Sequence, residues 1–261
     1  MKCYKILDKE ENHHGLQYKT GLNIDPIPFN PSGDCLKGGI YFSREHILCF
    51  LNYGCWIRGV TIPEGTPIYE NPGIPKKFKA PQVILGRRRK ITAKVVKQLI
   101  NEGIDPKANE SQALREAVWN NNLEIVKLLI PVSDPKANDS QALREAVRNN
   151  NLKMVKLLIP VSDPKADQSQ ALRNAVLNNN LEIVKLLIPV SDPKVKNSQA
   201  LKNAVWKNNL EMVKLLIPVS DPKANDSQAL RNAVLNNNLE IVKLLIPVSD
   251  PKRIEEIIYL D

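Results

Sequence analysis

From residue 107 onward the apolar and polar positions recur with a period of 29 residues. Lys107, Lys136, Lys165, Lys194 and Lys223 each open a near-identical unit, the first reading KANESQALREAVWNNNLEIVKLLIPVSDP. A preceding half-unit, Val95 to Ile100 followed by Asp105-Pro106, matches only the second half of the pattern. Within the unit, Leu114, Ala117 and Val118 fall at helical spacing and predict a first helix from about Ser111 to Asn120. Asn109 and Ser111 are candidate N-caps, because their side chains can accept from the free N–H groups of a first turn. The Asn120-Asn121-Asn122 tract should end this helix, take the left-handed conformation of a tight turn and cap the next helix. A second helix over Leu123–Ile130 would bury Leu123, Ile125, Val126, Leu128, Leu129 and Ile130, expose Glu124 and Lys127, and stop at Pro131. So dense an apolar set suits a helix sandwiched between neighbouring units. One unit cannot bury its own apolar face, whereas a stack can, so the pattern predicts an all-α solenoid of five repeats and a half-repeat.

The rest of the chain reads differently. Residues 1–86 lack the repeat and look α+β, with strand-like runs at Gly39–Phe42, Trp56–Ile62 and Gln82–Leu85. Ser43 is a candidate cap for a helix over Arg44–Tyr53, ended by Gly54. The expected organisation is an α+β N-terminal domain (1–86), a basic linker (87–90), the repeat array (91–252) and a short amphipathic C-terminal cap (253–261).

Charge sharpens this division. Of the formal net charge of +9, residues 1–90 carry 14 Lys/Arg against 8 Asp/Glu, concentrated in Lys76, Lys77, Lys79 and the run Arg87–Lys90. That run reads as a solvated linker with nuclear import as an additional role. Aromatic residues make up 5% and do not interleave with it, so a nucleic-acid stacking platform is not expected. No apolar stretch reaches the length of a membrane span, and Met1–Asp8 has no signal-like apolar core, so a soluble intracellular protein is expected. Cys3, Cys35, Cys49 and Cys55 lack the paired spacing of a structural zinc site, which leaves buried reduced thiols, no metal and no cofactor as the expectation.

The unit resembles the ankyrin repeat. Gln112–Val118 is similar to its T-P-L-H-x-A-A stretch, and Asn121–Ile130 to its G-H-x-E-V-V-x-L-L-L stretch. At 29 residues the unit is four shorter than the usual 33, and the loss falls where the projecting hairpin would be. The shortened form is similar to the ankyrin repeats of giant DNA viruses of amoebae. Glu11–Gly15, Gly21–Asn23 and Gly38–Ser43 resemble the lead domain of that mimivirus-like group. The resemblance implies a viral protein acting inside a host cell. The expected role is a monomeric, non-catalytic adaptor for a host or viral protein, in the host cytoplasm or, through the Arg87–Lys90 run, the nucleus.

With the hairpins trimmed, the first-helix face becomes the candidate binding surface. Positions that differ among otherwise matching units mark it: Trp119, Arg148, Leu177, Trp206 and Leu235; Glu116, Glu145, Asn174, Asn203 and Asn232; and Lys207 in place of Asn. Trp and Arg are the side chains that most often carry binding energy. The competing reading makes Trp119 and Trp206 core residues packed on a neighbouring unit. Arg115, Arg144, Arg173, Lys202 and Arg231 form a basic row at the ankyrin His position, for which a structural role is expected. The Lys127 row, offset by Glu124 and its equivalents, reads as a solvated face with helical ion pairs.

One enzymatic alternative exists. His14 and Tyr41, with Gly39–Ser43 and the strand Ile57–Thr61, are loosely similar to ADP-ribosyltransferases, in which a His and a Tyr hold NAD. The late glutamate of those enzymes has no match, since Glu64 and Glu70 come too early. The repeats would then select substrate.

Overall fold

The computed structural model describes residues 2–13, 15–33 and 36–250. The chain divides into two compact units, Met1–Ala137 and Asn138–Asp261. The division falls after the first repeat and not at the 87–90 run, for reasons visible in the first unit. The expected cap at 253–261 lies outside the described residues.

The first unit opens with short strands: β1 (Cys3–Leu7), β2 (Asn12–His13), β3 (Leu16–Gln17), β4 (Gly21–Ile24), β5 (Ile40–Phe42), β6 (Trp56–Thr61), β7 (Tyr69–Glu70), β8 (Phe78–Ala80), β9 (Gln82–Leu85) and β10 (Arg89–Lys90). One antiparallel sheet has the order β1-β6-β9-β4 with β10 also on β6; a second has the order β5-β8-β7; β2 and β3 form a hairpin. The two sheets meet at a bridge between Tyr4 and Ser43. Cys3, Leu7, Tyr18, Ile40, Phe42, Val60, Phe78, Val83 and Leu85 form their shared core.

Three expectations need correcting here. Ser43 caps no helix: its backbone bonds Tyr4 and its hydroxyl donates to Lys76 O at 2.7 Å. The helix after it is a 3-10 helix, Ile47–Tyr53, with Gly54 at its C-terminal end. The basic run is not a free linker, because Arg89 and Lys90 pair with Ile57 and Trp56 as β10. Arg88 adds a cation–π contact, its guanidinium 4.6 Å from the Trp56 ring. Lys79, counted with the basic excess, is fully buried; it donates to Ser32 O at 3.0 Å.

Three helices complete this unit: α1 (Ala93–Asn101), α2 (Ala108–Trp119) and α3 (Leu123–Leu129). Helix α1 is the half-repeat, with Thr92 as its N-cap. The first helix it lacks is supplied by the 3-10 helix, against which α2 packs. Asn120 donates from Nδ2 to Leu51 O at 2.9 Å, and the Cys49 thiol lies 3.6 Å from Ala108 O. Asn178 makes the matching bond to Val147 O, also at 2.9 Å, on the preceding first helix of the second unit. The 3-10 helix therefore fills the place of a repeat helix, which ties the strand-rich region to the first repeat.

The second unit holds α4 (Ala137–Arg148), α5 (Leu152–Leu158), α6 (Ala166–Leu177), α7 (Leu181–Leu187), α8 (Val195–Trp206), α9 (Leu210–Leu216), α10 (Ala224–Leu235) and α11 (Leu239–Leu245). First helices lie beside first helices, α6 on α8 and α8 on α10, while each packs on its own second helix. The asparagine tract behaves as its chemistry predicts. Asn121, Asn150, Asn179, Asn208 and Asn237 are left-handed, and the asparagine after each caps the second helix, as Asn180 Oδ1 accepts from Ile183 N at 2.9 Å. Each second helix ends before a proline-containing 3-10 turn, such as Ile188–Val190. Its middle is buried as expected (Ile183, Val184 and Leu187), but Leu181, Leu186 and Ile188 are only half-buried, and the same holds in the first repeat for Leu123, Leu128 and Ile130.

The start of the first helix departs from expectation. Asn109, Glu110 and Ser111 have φ of 49°, 54° and 57°, a left-handed turn that recurs in every repeat. For L-residues this costs roughly 1–2 kcal/mol each. Two side chains of the repeat offset that cost. Arg173 donates to Gln168 O at 3.1 Å and Asp167 O at 2.9 Å, closing on the turn from the helix above it. Ser169 is buried and its Oγ accepts from Asp192 N, in the next return loop, at 2.8 Å. Asn109, Ser111 and their equivalents are therefore not N-caps; the serines tie one repeat to the next. Ser169→Ala should destabilise the chain by about 1 kcal/mol, the net worth of one such bond, read as a lower urea midpoint at unchanged slope.

Candidate interaction surface

The variable positions sit on the last turns of the first helices. In the first unit Trp119 is 57% exposed, while the neighbouring Ala117 and Val118 are buried. Glu116 is half-buried and accepts from Gln112 at 3.0 Å. In the second unit Leu177 is 40% exposed, Trp206 64% and Leu235 82%, and Arg148 and Lys207 are exposed as well. The core reading of Trp119 and Trp206 is thereby set aside. Their helices turn Val118 and Val205 inward, and the next residue, about 100° further round, faces out.

Not every candidate is presented. Glu145 is only 6% exposed and lies under Arg148, which donates to it at 2.6 Å. It is a correction to the expected surface: of the five equivalent residues it alone is buried, and it is the one bonded by an arginine three residues on. Asn203 and Asn232 are half-buried and accept from Gln199 and Gln228, each at 2.8 Å, along their own helices; Asn174 is also half-buried. In each unit the Trp, Arg, Leu and Lys positions are therefore the presented ones, and the amides are less exposed.

A groove that the variable positions do not announce lies between α8 and α10. It measures about 340 Å³ and is lined by Gln199, Lys202, Asn203, Trp206, Asn225, Gln228 and Asn232. A signal was available: Lys202 is the one lysine in a row of arginines. The second row is as expected, with Lys127 and Lys214 paired to Glu124 and Glu211 at 3.0 and 3.2 Å on an exposed face.

The strand-rich region holds a cavity of about 320 Å³ lined by residues of β1, β5 and the 3-10 helix, Tyr4 and Ser43 among them. Tyr41, His13, Phe50 and Tyr53 line it, and Asp8 is the one carboxylate among its described lining residues. Tyr41 thus sits at a cavity, but its hydroxyl donates to Leu36 O at 3.0 Å, and neither Glu64 nor Glu70 lines the space. His14 lies outside the described residues. Cys3 and Cys49 are buried free thiols; burial pushes Cys49 up to about 12.

Helix pairs that repeat every 29 residues, turn on asparagine and stack first helix on first helix define a class of interaction scaffold. The sequence profile of ankyrin repeats in three copies matches residues 88–170 and 172–255, and the chain belongs to the ankyrin-repeat family. Among its relatives, ankyrin repeat protein R868 of Acanthamoeba polyphaga mimivirus is 36% identical over 135 residues, 49% of this chain and 65% of that protein. Ankyrin repeat protein R229 of the same virus is 35% identical over 128 residues, 46% of this chain and 42% of the relative. Uncharacterized protein R869 of that virus is 34% identical over 132 residues, 49% of this chain and 96% of its own length. The chain thus spans less than two-thirds of the first two relatives it matches. Among solved structures, the ankyrin repeat domain of Bcl-3, a member of the IkappaB protein family, superposes with a TM-score of 0.50 at 23% identity, over 60% of this chain and 80% of that one. That likeness speaks to the fold. Ankyrin repeats are a protein–protein interaction module, generally a non-enzymatic scaffold. Among the described residues no helix is long and apolar enough to cross a membrane.

Proposed function

We propose that this chain is a monomeric viral adaptor that binds a host or viral protein inside the infected cell through exposed side chains at the ends of its first helices. The observation that carries the reading is the exposure of Trp119, Leu177, Trp206 and Leu235 on helices whose other apolar side chains are almost all buried. Large exposed apolar side chains beside Arg148 and Lys207 are the composition of an interface anchor. The near-identity of the repeats makes the framework constant and leaves these positions to set specificity.

The test is a double variant, Trp119→Ala with Trp206→Ala, compared with the native chain in quantitative capture from host-cell lysate. Stability should change by less than about 1 kcal/mol, as for substitutions away from a core. A specifically captured protein should be lost by tenfold or more, the scale of an anchor residue. A variant that unfolds, or that captures the same proteins equally well, defeats the proposal.

A further inference from the structure

One cation on the first-helix face is left over by the repeat pattern. Arg144 donates to Asn138 O at 2.8 Å, Arg173 to the carbonyls of Asp167 and Gln168, and Arg231 to Asn225 O at 3.1 Å. In each case the guanidinium closes back on the left-handed turn of its own repeat. The fourth repeat has Lys202 at this position. A lysine ends in one nitrogen and lacks the planar fork that spans neighbouring carbonyls. Among the described residues its Nζ has no hydrogen bond and no ion pair. It is half-buried, and burial lowers its pKa with no nearby carboxylate to offset the effect.

The groove around Lys202 contains no Asp or Glu. Its other polar lining is amide, from Gln199, Asn203, Asn225, Gln228 and Asn232, and Trp206 stands on one side. The bonds from Gln199 to Asn203 and from Gln228 to Asn232 hold four of those amides in fixed positions. A partly desolvated ammonium with unfilled donors favours a negative group, and it does so more strongly than it would in water. Lys202 is the one charged side chain of the lining, and the nearby Arg231 guanidinium is already engaged by Asn225 O at 3.1 Å and Gln228 Oε1 at 2.7 Å, so the charge left open matches a single carboxylate. The largely exposed Trp206 offers an apolar surface beside it, with Lys207 Nζ 4.9 Å from its ring.

We infer that the groove between α8 and α10 receives the carboxylate of an Asp or Glu side chain of a protein partner, with an apolar neighbour of that residue packed on Trp206. The inference rests on the protein-binding reading above and gives that partner its chemistry: an acidic residue next to an apolar one.

The experiment uses the full chain, labelled with ¹⁵N, and two probes: N-acetyl-Leu-Glu-amide and its neutral isostere N-acetyl-Leu-Gln-amide. The Trp206 indole N–H resonance is followed during titration. The glutamate peptide should shift it saturably and bind about tenfold more tightly than the glutamine peptide, a difference of about 1.4 kcal/mol. Lys202→Met should abolish that preference. Lys202→Arg, which copies the sister repeats and so folds as they do, should also weaken it, because the guanidinium returns to the turn carbonyls. Equal binding of the two peptides, or a glutamate preference that survives Lys202→Met, overturns the inference. Full binding by Lys202→Arg overturns the role given to the unforked ammonium. Should the preference be missing while the Trp119/Trp206 double variant still loses its captured protein, the exposed side chains keep their function and only the carboxylate assignment falls.

Discussion

Replacing Arg58 with methionine should destabilise the first unit by roughly 3–5 kcal/mol, the cost of stranding a buried charge. Arg58 Nε donates to Glu11 Oε1 at 2.7 Å and its Nη2 to Glu11 Oε2 at 3.0 Å, a two-pronged pair with both side chains more than nine-tenths buried. The remaining nitrogen donates to Thr20 Oγ1 at 3.0 Å and to Gly86 O at 2.7 Å. One guanidinium thus joins β6 to the Glu11 bend, to the segment before β4 and to the approach to β10. In the variant Glu11 keeps only Arg88, at 3.3 Å and half-exposed, as a charged partner.

The same pair sets a pH dependence. Bonding to Arg58 holds the Glu11 carboxyl below its ordinary value of 4.5. A folded pKa below the unfolded one contributes stability that is present above the unfolded value and is lost as pH falls through the folded one. In Arg58→Met that preference weakens, because burial favours the neutral acid and Arg88 alone is left to oppose it. The stability gap between native and variant chains should therefore be largest near neutral pH and narrow on acidification, measured by urea unfolding from pH 7 to 3. A gap independent of pH would mean that packing, and not charge, carries the effect.

The second large effect belongs to the array. Leu201→Ala should cost roughly 2–5 kcal/mol, because Leu201 is fully buried in α8 and its removal leaves a cavity between neighbouring repeats. Trp206→Ala, five residues along the same helix, removes a larger side chain and should cost little, since that side chain is largely exposed. Thermal or chemical unfolding of the two single variants measures the contrast directly. It inverts the usual ranking, in which losing a tryptophan is the graver change. Because each repeat leans only on its neighbours, a deep cavity in an interior repeat should also broaden the transition as cooperativity falls.

Some of this was written in the sequence because the physics is local. The 29-residue period, the asparagine turn and the proline stop each act within a few residues, and each appears where the pattern placed it. Strand β9 has the bounds expected, and β5 and β6 differ from expectation by one residue. Strands β1 and β4 are not legible from the pattern, since each buries a polar residue: Lys5, whose Nζ donates to Tyr41 O at 2.9 Å, and Asn23, whose amide bonds the backbone of Lys19 and Gly21. The candidate row was legible as variation on a constant framework, yet variation alone did not separate exposed Trp206 from buried Glu145.

The sequence by itself determined a stack of shortened ankyrin repeats, because a repeated apolar face that one unit cannot bury has to be buried by the next. Tertiary structure alone decided three things. It placed the 3-10 helix Ile47–Tyr53 where the half-repeat lacks a first helix, through contacts between residues 69 apart such as Asn120 and Leu51. It put the repeat arginines to work on left-handed turns, a backbone choice that no single residue type announces. And it left Lys202 without those bonds, facing a groove that exists only when α10 lies beside α8. Each of these depends on groups far apart in the chain meeting in space.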